Sequence, residues 1–230
     1  MEARARLGIL ALETQFPRIP GDVGNMETWP FPVLYHVVTG ASPRRVVTQN
    51  AEGLLDEFKR AAAGLIAQGA DGIATTCGFL SLFQSDLANH VNAPVATSSL
   101  MQVPFVQNLL PARRRVGILT VNSKALTRAH LEAVGVDPES PIQGTEGGRE
   151  LSRVLIGDEP TLDVDKARQD MLDAGDALLA AHENIGAIVL ECTNMGPYAS
   201  VLAEHTGLPV FDVVSFLTWF HAGLAPRRFS

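Results

Sequence analysis

The chain repeats itself. Shifted by 115 residues, Cys77 falls on Cys192, Ile73 on Ile188, Ser85 on Ser200, Leu87 on Leu202, Ala88 on Ala203, His90 on His205, Pro94 on Pro209 and Val95 on Val210. These are eight identities in the 23 positions from 73 to 95, where average residue usage gives roughly two. A second match, Arg6-Leu7-Gly8-Ile9-Leu10 against Arg115-Val116-Gly117-Ile118-Leu119, needs a shift of 109, and the six-residue difference is what unequal loops produce. Shared strand composition would not pair Cys, His and Pro. The chain therefore reads as two copies of one unit, which restricts the fold before any element is assigned.

Within each copy, apolar runs alternate with amphipathic stretches. Leu7 to Leu12, Val33 to Val38, Ile73 to Thr76 and Pro94 to Thr97 read as strands of the first half, and Val116 to Val121, Ala187 to Glu191 and Pro209 to Val213 as strands of the second. Helices are predicted over 51–68, 80–91, 101–110, 124–134, 165–182 and 198–205, with one more after the last strand. From 51 to 68, Leu54, Leu55, Phe58, Ala62, Leu65 and Ile66 share a helical face. Such alternation means an α/β fold of mostly parallel sheets covered by helices. The expected layout is a first lobe over 1–108, a second over 109–207, and a last strand and helix over 208–230 packing back on the first. Duplicated halves meet about a pseudo-two-fold axis, and ligands of open α/β sheets bind beyond the carboxyl ends of strands.

Composition removes several classes. A formal charge of −7 disfavours nucleic acid, whose binding sites are basic; the run Arg113-Arg114-Arg115 reads as a surface loop. Every apolar run is interrupted well before the roughly 18 residues of a membrane span. The start, Met1 to Arg6, leads into a strand without a leader's cleavage site, so the expected location is the cytoplasm. The chain has two cysteines, too few for a disulfide scaffold in a reducing compartment. A small-molecule partner is expected, and self-association into a homo-oligomer is left open.

Both cysteines end apolar strands, in Thr75-Thr76-Cys77-Gly78-Phe79 and Glu191-Cys192-Thr193-Asn194-Met195, and both should line the cleft between the lobes. Backbone N–H groups at a helix start bind anions and lower a thiol's pKa from about 8.5. A buried cysteine is commonly just a small hydrophobe, but two at equivalent positions of a duplication, with no others, point to reactive groups. Sulfurs flanking one substrate carbon stand roughly 7 Å apart, beyond disulfide reach. Two thiols on opposite faces of one carbon supply the base and acid of racemisation, with developing charge held by fixed donors. Backbone N–H groups of Gly78, Phe79, Thr193 and Asn194, and side chains of Thr76, Thr193 and Asn194, can serve.

These motifs, with the Gly117-Ile118-Leu119-Thr120-Val121-Asn122 strand end, resemble the aspartate/glutamate racemase superfamily, which includes hydantoin racemases, maleate isomerases and arylmalonate decarboxylases. The resemblance covers nearly the whole chain. It implies two similar Rossmann-like lobes with the active site in the cleft between them, catalytic cysteines at Cys77 and Cys192, and carboxylate binding just after each. It also implies substrate contacts from Asn25 and from Thr120, Asn122 and Ser123, with neither pyridoxal phosphate nor metal. Gly78-Phe79 departs from the Asn-Thr pair found after the first cysteine in many amino-acid racemases. The decarboxylases keep only the second cysteine, so Cys77 argues against that activity. The expected function is a cofactor-independent racemase or epimerase of an amino acid or a derivative such as a hydantoin. The alternatives are a cis-trans isomerase of a small dicarboxylate working through a cysteine adduct, and a two-lobed ligand binder without catalysis.

Other residues carry less. Trp29 and Phe31, in the long loop 13–32, read equally as a lid or as packing on the lobe. Gly144 to Gly148 matches neither phosphate-binding spacing and reads as a turn. His90 and His205 read as helix ends, no histidine spacing suits a metal, and no lysine is placed for a Schiff base. Glu191 should point away from Cys192 along the strand and receives no role.

Overall fold

The computed structural model describes residues 5–226. Residues 1–4, on which the reading against a leader partly rested, and residues 227–230, the end of the last expected segment, lie outside the described residues. In the first lobe, strands β1 (Leu7–Leu12), β2 (Val33–Val38), β3 (Gly72–Thr75) and β4 (Val95–Ala96) form a parallel sheet in the order β2-β1-β3-β4. Helices α1 (Pro43–Thr48), α2 (Leu55–Ala67), α3 (Gln84–His90) and α4 (Val103–Leu109) accompany it. In the second, β5 (Arg115–Thr120), β6 (Ile142–Gly144), β7 (Ile185–Leu190) and β8 (Val210–Phe211) repeat the arrangement as β6-β5-β7-β8, again parallel. Helices α5 (Arg128–Glu132), α6 (Leu151–Gly157), α7 (Val164–Ala181) and α8 (Ala199–Thr206) belong to this lobe, and α9 (Val213–Leu224) closes the described chain.

Three of the matching pairs hold the register of the sheets. Ile73 pairs with Val95 and Ile188 with Val210. The Ile73 N–H donates to the Pro94 carbonyl and the Ile188 N–H to the Pro209 carbonyl, both at 2.9 Å. Thr76 N–H reaches Leu10 O at 3.0 Å, as Glu191 N–H reaches Leu119 O at 2.8 Å. The central strands are apolar because helices cover both faces of a parallel sheet: every residue of β1 is buried, as are all but Arg115 of β5. α2 buries Phe58, Ala61, Ala62 and Leu65, the stripe of an amphipathic helix.

The lobes exchange helices. α4, next in the chain after the first sheet, packs on β5 of the second, and its Gln107 Oε1 accepts the Val116 N–H at 2.9 Å. α9, next after the second sheet, covers the first through Val213, Phe216 and Leu217 against Leu7, Ile9, Ala74 and Ala96. Over its described residues, 208–226, the last segment thus divides: β8 stays beside β7, and α9 crosses back. One apolar core runs through both lobes, from Leu10 and Phe58 to Ile118 and Ile188.

Two predicted helices shrink for local reasons. That over 124–134 begins only at Arg128, because the Asn122 side chain accepts the N–H groups of Lys124 and Ala125 in an Asx turn and Thr127 caps α5. That over 80–91 starts as a 3-10 turn, Gly78–Phe83, before α3. The glycine-rich stretch ends in a turn that delivers α6: buried Asp170 accepts the N–H groups of Arg149, Glu150 and Leu151 at 2.7–2.8 Å, satisfying the orphan donors of a helix start.

Candidate active site

β3 and β7 end side by side at the interface of the lobes, and both cysteines come off them into one pocket. Its wall includes Thr76, Cys77, Gly78 and Phe79 from the first motif and Glu191, Cys192 and Asn194 from the second. Pro43 and Val47 of α1 close it from one side and Leu155 and Ile156 of α6 from the other, with Phe16 from the loop after β1. The enclosed space is about 20 Å³, room for one water molecule. Both thiols are free and buried.

The two motifs hold each other. Thr193 Oγ1 donates to the Thr76 carbonyl at 2.6 Å across the lobes, Cys192 Sγ contacts Asn194 Oδ1 at 3.5 Å, and Asn194 Nδ2 donates to Asp22. Asp22 is buried and paired with Arg18 at 2.9 Å, so the first lobe's long loop is tied to the second cysteine motif. Trp29 and Phe31 do not cover the pocket. The Trp29 indole donates to Val23 O at 3.1 Å, and Phe31 stacks on His221 of α9 with centroids 3.7 Å apart; Phe16 is the aromatic residue of that loop in the wall.

Of the remaining residues expected at the substrate, Asn25 caps a 3-10 turn through Glu27 N–H and donates to Arg18 O. Asn122 makes the Asx turn, and Ser123 pairs with Glu146. None of these three lines the pocket. Thr120 is one layer behind it, donating to Glu191 Oε2 at 2.7 Å. Among the described residues, no three His, Cys, Asp or Glu side chains gather as a metal site would require.

Glu191 is the residue that strand alternation misplaced. It lies just past the end of β7, where alternation has lapsed, and its side chain turns into the pocket wall with no exposed surface. Oε1 has no hydrogen-bond partner. Gly78 makes this fit: a Cβ there would overlap the Glu191 carboxyl and its backbone oxygen. The departure at Gly78 was the signal available in the sequence, a missing side chain opposite an unexplained acid.

Electrostatics corrects a further expectation. Burial pushes the Cys77 thiol up to about 12, with the Glu191 carboxyl adding to the shift, and the N–H groups of Phe79 and Leu80 only partly oppose them. Cys192 is likewise raised well above an ordinary thiol, first by burial and then by Glu191. Each cysteine leads into a short 3-10 turn, whose few N–H groups lose to burial beside a carboxyl. Burial raises Glu191 itself to about 7, against the Thr120 hydrogen bond. Behind Phe79, His130 lies edge-on to its ring at 5.2 Å, its pKa lowered by burial to about 4, so it is neutral packing at physiological pH.

Paired parallel lobes with one cysteine from each in a shared pocket are a fold that several solved enzymes share. Among solved structures, arylmalonate decarboxylase superposes with a TM-score of 0.63 over 98% of this chain and 94% of its own at 14% identity. Aspartate racemase from Picrophilus torridus gives 0.59 over 98% and 96% at 12% identity. No family model matches the chain. Dimethylsulfoniopropionate lyase 7 of Emiliania huxleyi is 32% identical over 233 aligned residues, 95% of this chain and 67% of that one. A dimethylsulfoniopropionate lyase of Durusdinium sp. clade D is 28% identical over 228, covering 95% and 75%. The chain therefore belongs to the family of the dimethylsulfoniopropionate lyases. This overturns the expected racemase and its isomerase alternative: the relatives are enzymes, and lyases. Among the described residues no helix is long and apolar enough to cross a membrane.

Proposed function

We propose that this protein is a lyase that cleaves dimethylsulfoniopropionate. The observation that carries the reading is the 32% identity along 95% of the chain to a lyase of that name. The substrate bears a carboxylate and, on its β-carbon, a dimethylsulfonium group. Removing an α-proton lets the C–H electron pair form the Cα–Cβ double bond while the Cβ–S pair leaves on sulfur. The products are acrylate, neutral dimethyl sulfide and one proton.

The pocket supports this chemistry. One of Cys77 and Cys192 receives the α-proton as a thiolate, and the other acts on the substrate as a hydrogen-bond donor. The Asn194 side-chain amide, in the pocket wall, is the donor for the substrate carboxylate, whose charge grows as the proton leaves. Burial and Glu191 hold both thiols neutral, and the substrate's positive charge favours an ionised neighbour, so substrate and thiolate come together.

Headspace gas chromatography of purified protein with dimethylsulfoniopropionate tests the reading. Dimethyl sulfide should appear in step with acrylate, and Cys77→Ala and Cys192→Ala should each lower the rate by roughly 100-fold or more, the scale of a lost acid–base group. Absence of dimethyl sulfide from folded wild-type protein would overturn it.

A further inference from the structure

We infer that Glu191 is a specificity-determining residue that receives the cationic head of the substrate through its unpartnered Oε1. The inference rests on the reading of this pocket as the substrate site and names what sets its selectivity.

The side chain is fully buried. Thr120 anchors Oε2 at 2.7 Å, which leaves Oε1 as a buried oxygen with no hydrogen-bond partner. No lysine or arginine pairs with it among the described residues: the nearby Arg18 is held by Asp22 at 2.9 Å. A buried carboxylate without a counter-charge is unfavourable and holds on to its proton instead, and a cation brought against Oε1 supplies the partner that the ionised form lacks. The repeat sharpens the point. At the equivalent position of the first half stands Thr76, whose Oγ1 accepts the Leu12 N–H at 3.0 Å and is thereby used up structurally. Only the second half places an acid here, and only the first half supplies the glycine, Gly78, that leaves room for it.

The arrangement has a consequence for the thiols. The Glu191 carboxyl opposes ionisation of both cysteines. A sulfonium against Oε1 would cancel that opposition, so the charge that is recognised is also the charge that permits a thiolate. A neutral substrate of the same shape would leave a carboxylate and a thiolate unscreened in one dry pocket.

The test uses two non-reacting probes of equal shape, 3-(trimethylammonio)propionate and 4,4-dimethylpentanoate, titrated calorimetrically into the whole protein at pH 8. An opposite charge at contact distance moves a carboxyl's pKa by about 1–3 units, so by linkage wild type should favour the cationic probe by roughly 10- to 1000-fold. Glu191→Gln should erase that preference. A second measurement needs no variant: at pH 6 the cationic probe should release protons on binding, read from the buffer dependence of the heat, and the neutral probe should not. The titratable groups facing Glu191 are the Cys77 and Cys192 thiols, with Asp22 and Arg18 beyond them; the thiols stay protonated at pH 6, so the released proton is assigned to the carboxyl. Equal binding of the two probes by wild type, binding of neither, or an unchanged preference in Glu191→Gln with no proton release would overturn the inference. Charge preference without dimethyl sulfide production would leave it standing and sink the lyase reading alone.

Discussion

Replacing Gly78 by alanine isolates the packing of the buried acid. The φ of Gly78 lies outside the left-handed region, so alanine meets no backbone strain and the cost is steric. The new Cβ would overlap Glu191 Oε1 and the Glu191 backbone oxygen and stand 2.8 Å from Cδ. Forcing extra volume into a packed site costs about 1–3 kcal/mol, while Gly→Ala returns about 0.4–1 kcal/mol by restricting the unfolded chain. The expected net loss is about 1–2 kcal/mol, read from urea denaturation, or a fall in Tm of roughly 2–8 °C for a chain of this size. Two of the three contacts belong to the carboxyl. In a Glu191→Ala background the same change should therefore cost about 1 kcal/mol less, because only the backbone oxygen remains in the way. Neighbours that share a contact are non-additive, whereas independent sites add within about 0.5 kcal/mol. Strict additivity of Gly78→Ala and Glu191→Ala would refute the claim that the glycine exists to seat the acid.

Two more outcomes turn on the same residue. Glu191 binds its proton more tightly folded than unfolded, since its pKa rises from 4.5 to about 7; stability present below pH 4.5 is lost as pH rises through 7, about 3 kcal/mol at 1.36 kcal/mol per pH unit, and denaturation curves of Glu191→Gln should lack that portion. With both thiols pushed up, iodoacetamide at pH 8 should modify Cys77 and Cys192 at least roughly 100-fold more slowly than free cysteine, and faster in Glu191→Gln; alkylation at the free-cysteine rate would contradict the electrostatics.

Much of the architecture was legible because the repeat carries it. Ile73, Pro94 and Val95 with their counterparts Ile188, Pro209 and Val210 are the residues whose backbone hydrogen bonds set each sheet, so matching letters translated directly into matching register. Short elements were not legible. β6 has three residues and α1 six, too few for a period to show. The crossing of α4 and α9 was only half visible, since an amphipathic helix records that it packs but not against which sheet. In the site, strand ends delivered both cysteines to one pocket, as the motifs implied. Asn25, Asn122 and Ser123 lie outside the pocket wall: short polar side chains in loops also serve as caps and Asx turns, and nothing in one sequence separates those uses from ligand binding.

The symmetry argument failed at one informative place. Equivalence of the halves led to a pocket that treats two faces of a carbon alike, yet the positions flanking the cysteines had already diverged: Thr76 against Glu191, Gly78 against Thr193, Phe79 against Asn194. The scaffold residues stayed the same while these changed. A pocket with a carboxyl on one side only, and the space for it cut on the other, distinguishes the two ends of what it binds. Racemisation gains little from that, since its substrate and product differ only in the hand of one carbon. Elimination gains a good deal, because one end must keep its carboxylate while the other gives up a charged leaving group, and the two have to be held in different surroundings at the same moment. The matched positions thus bring both thiols to one pocket, and the unmatched ones beside them give it unlike ends.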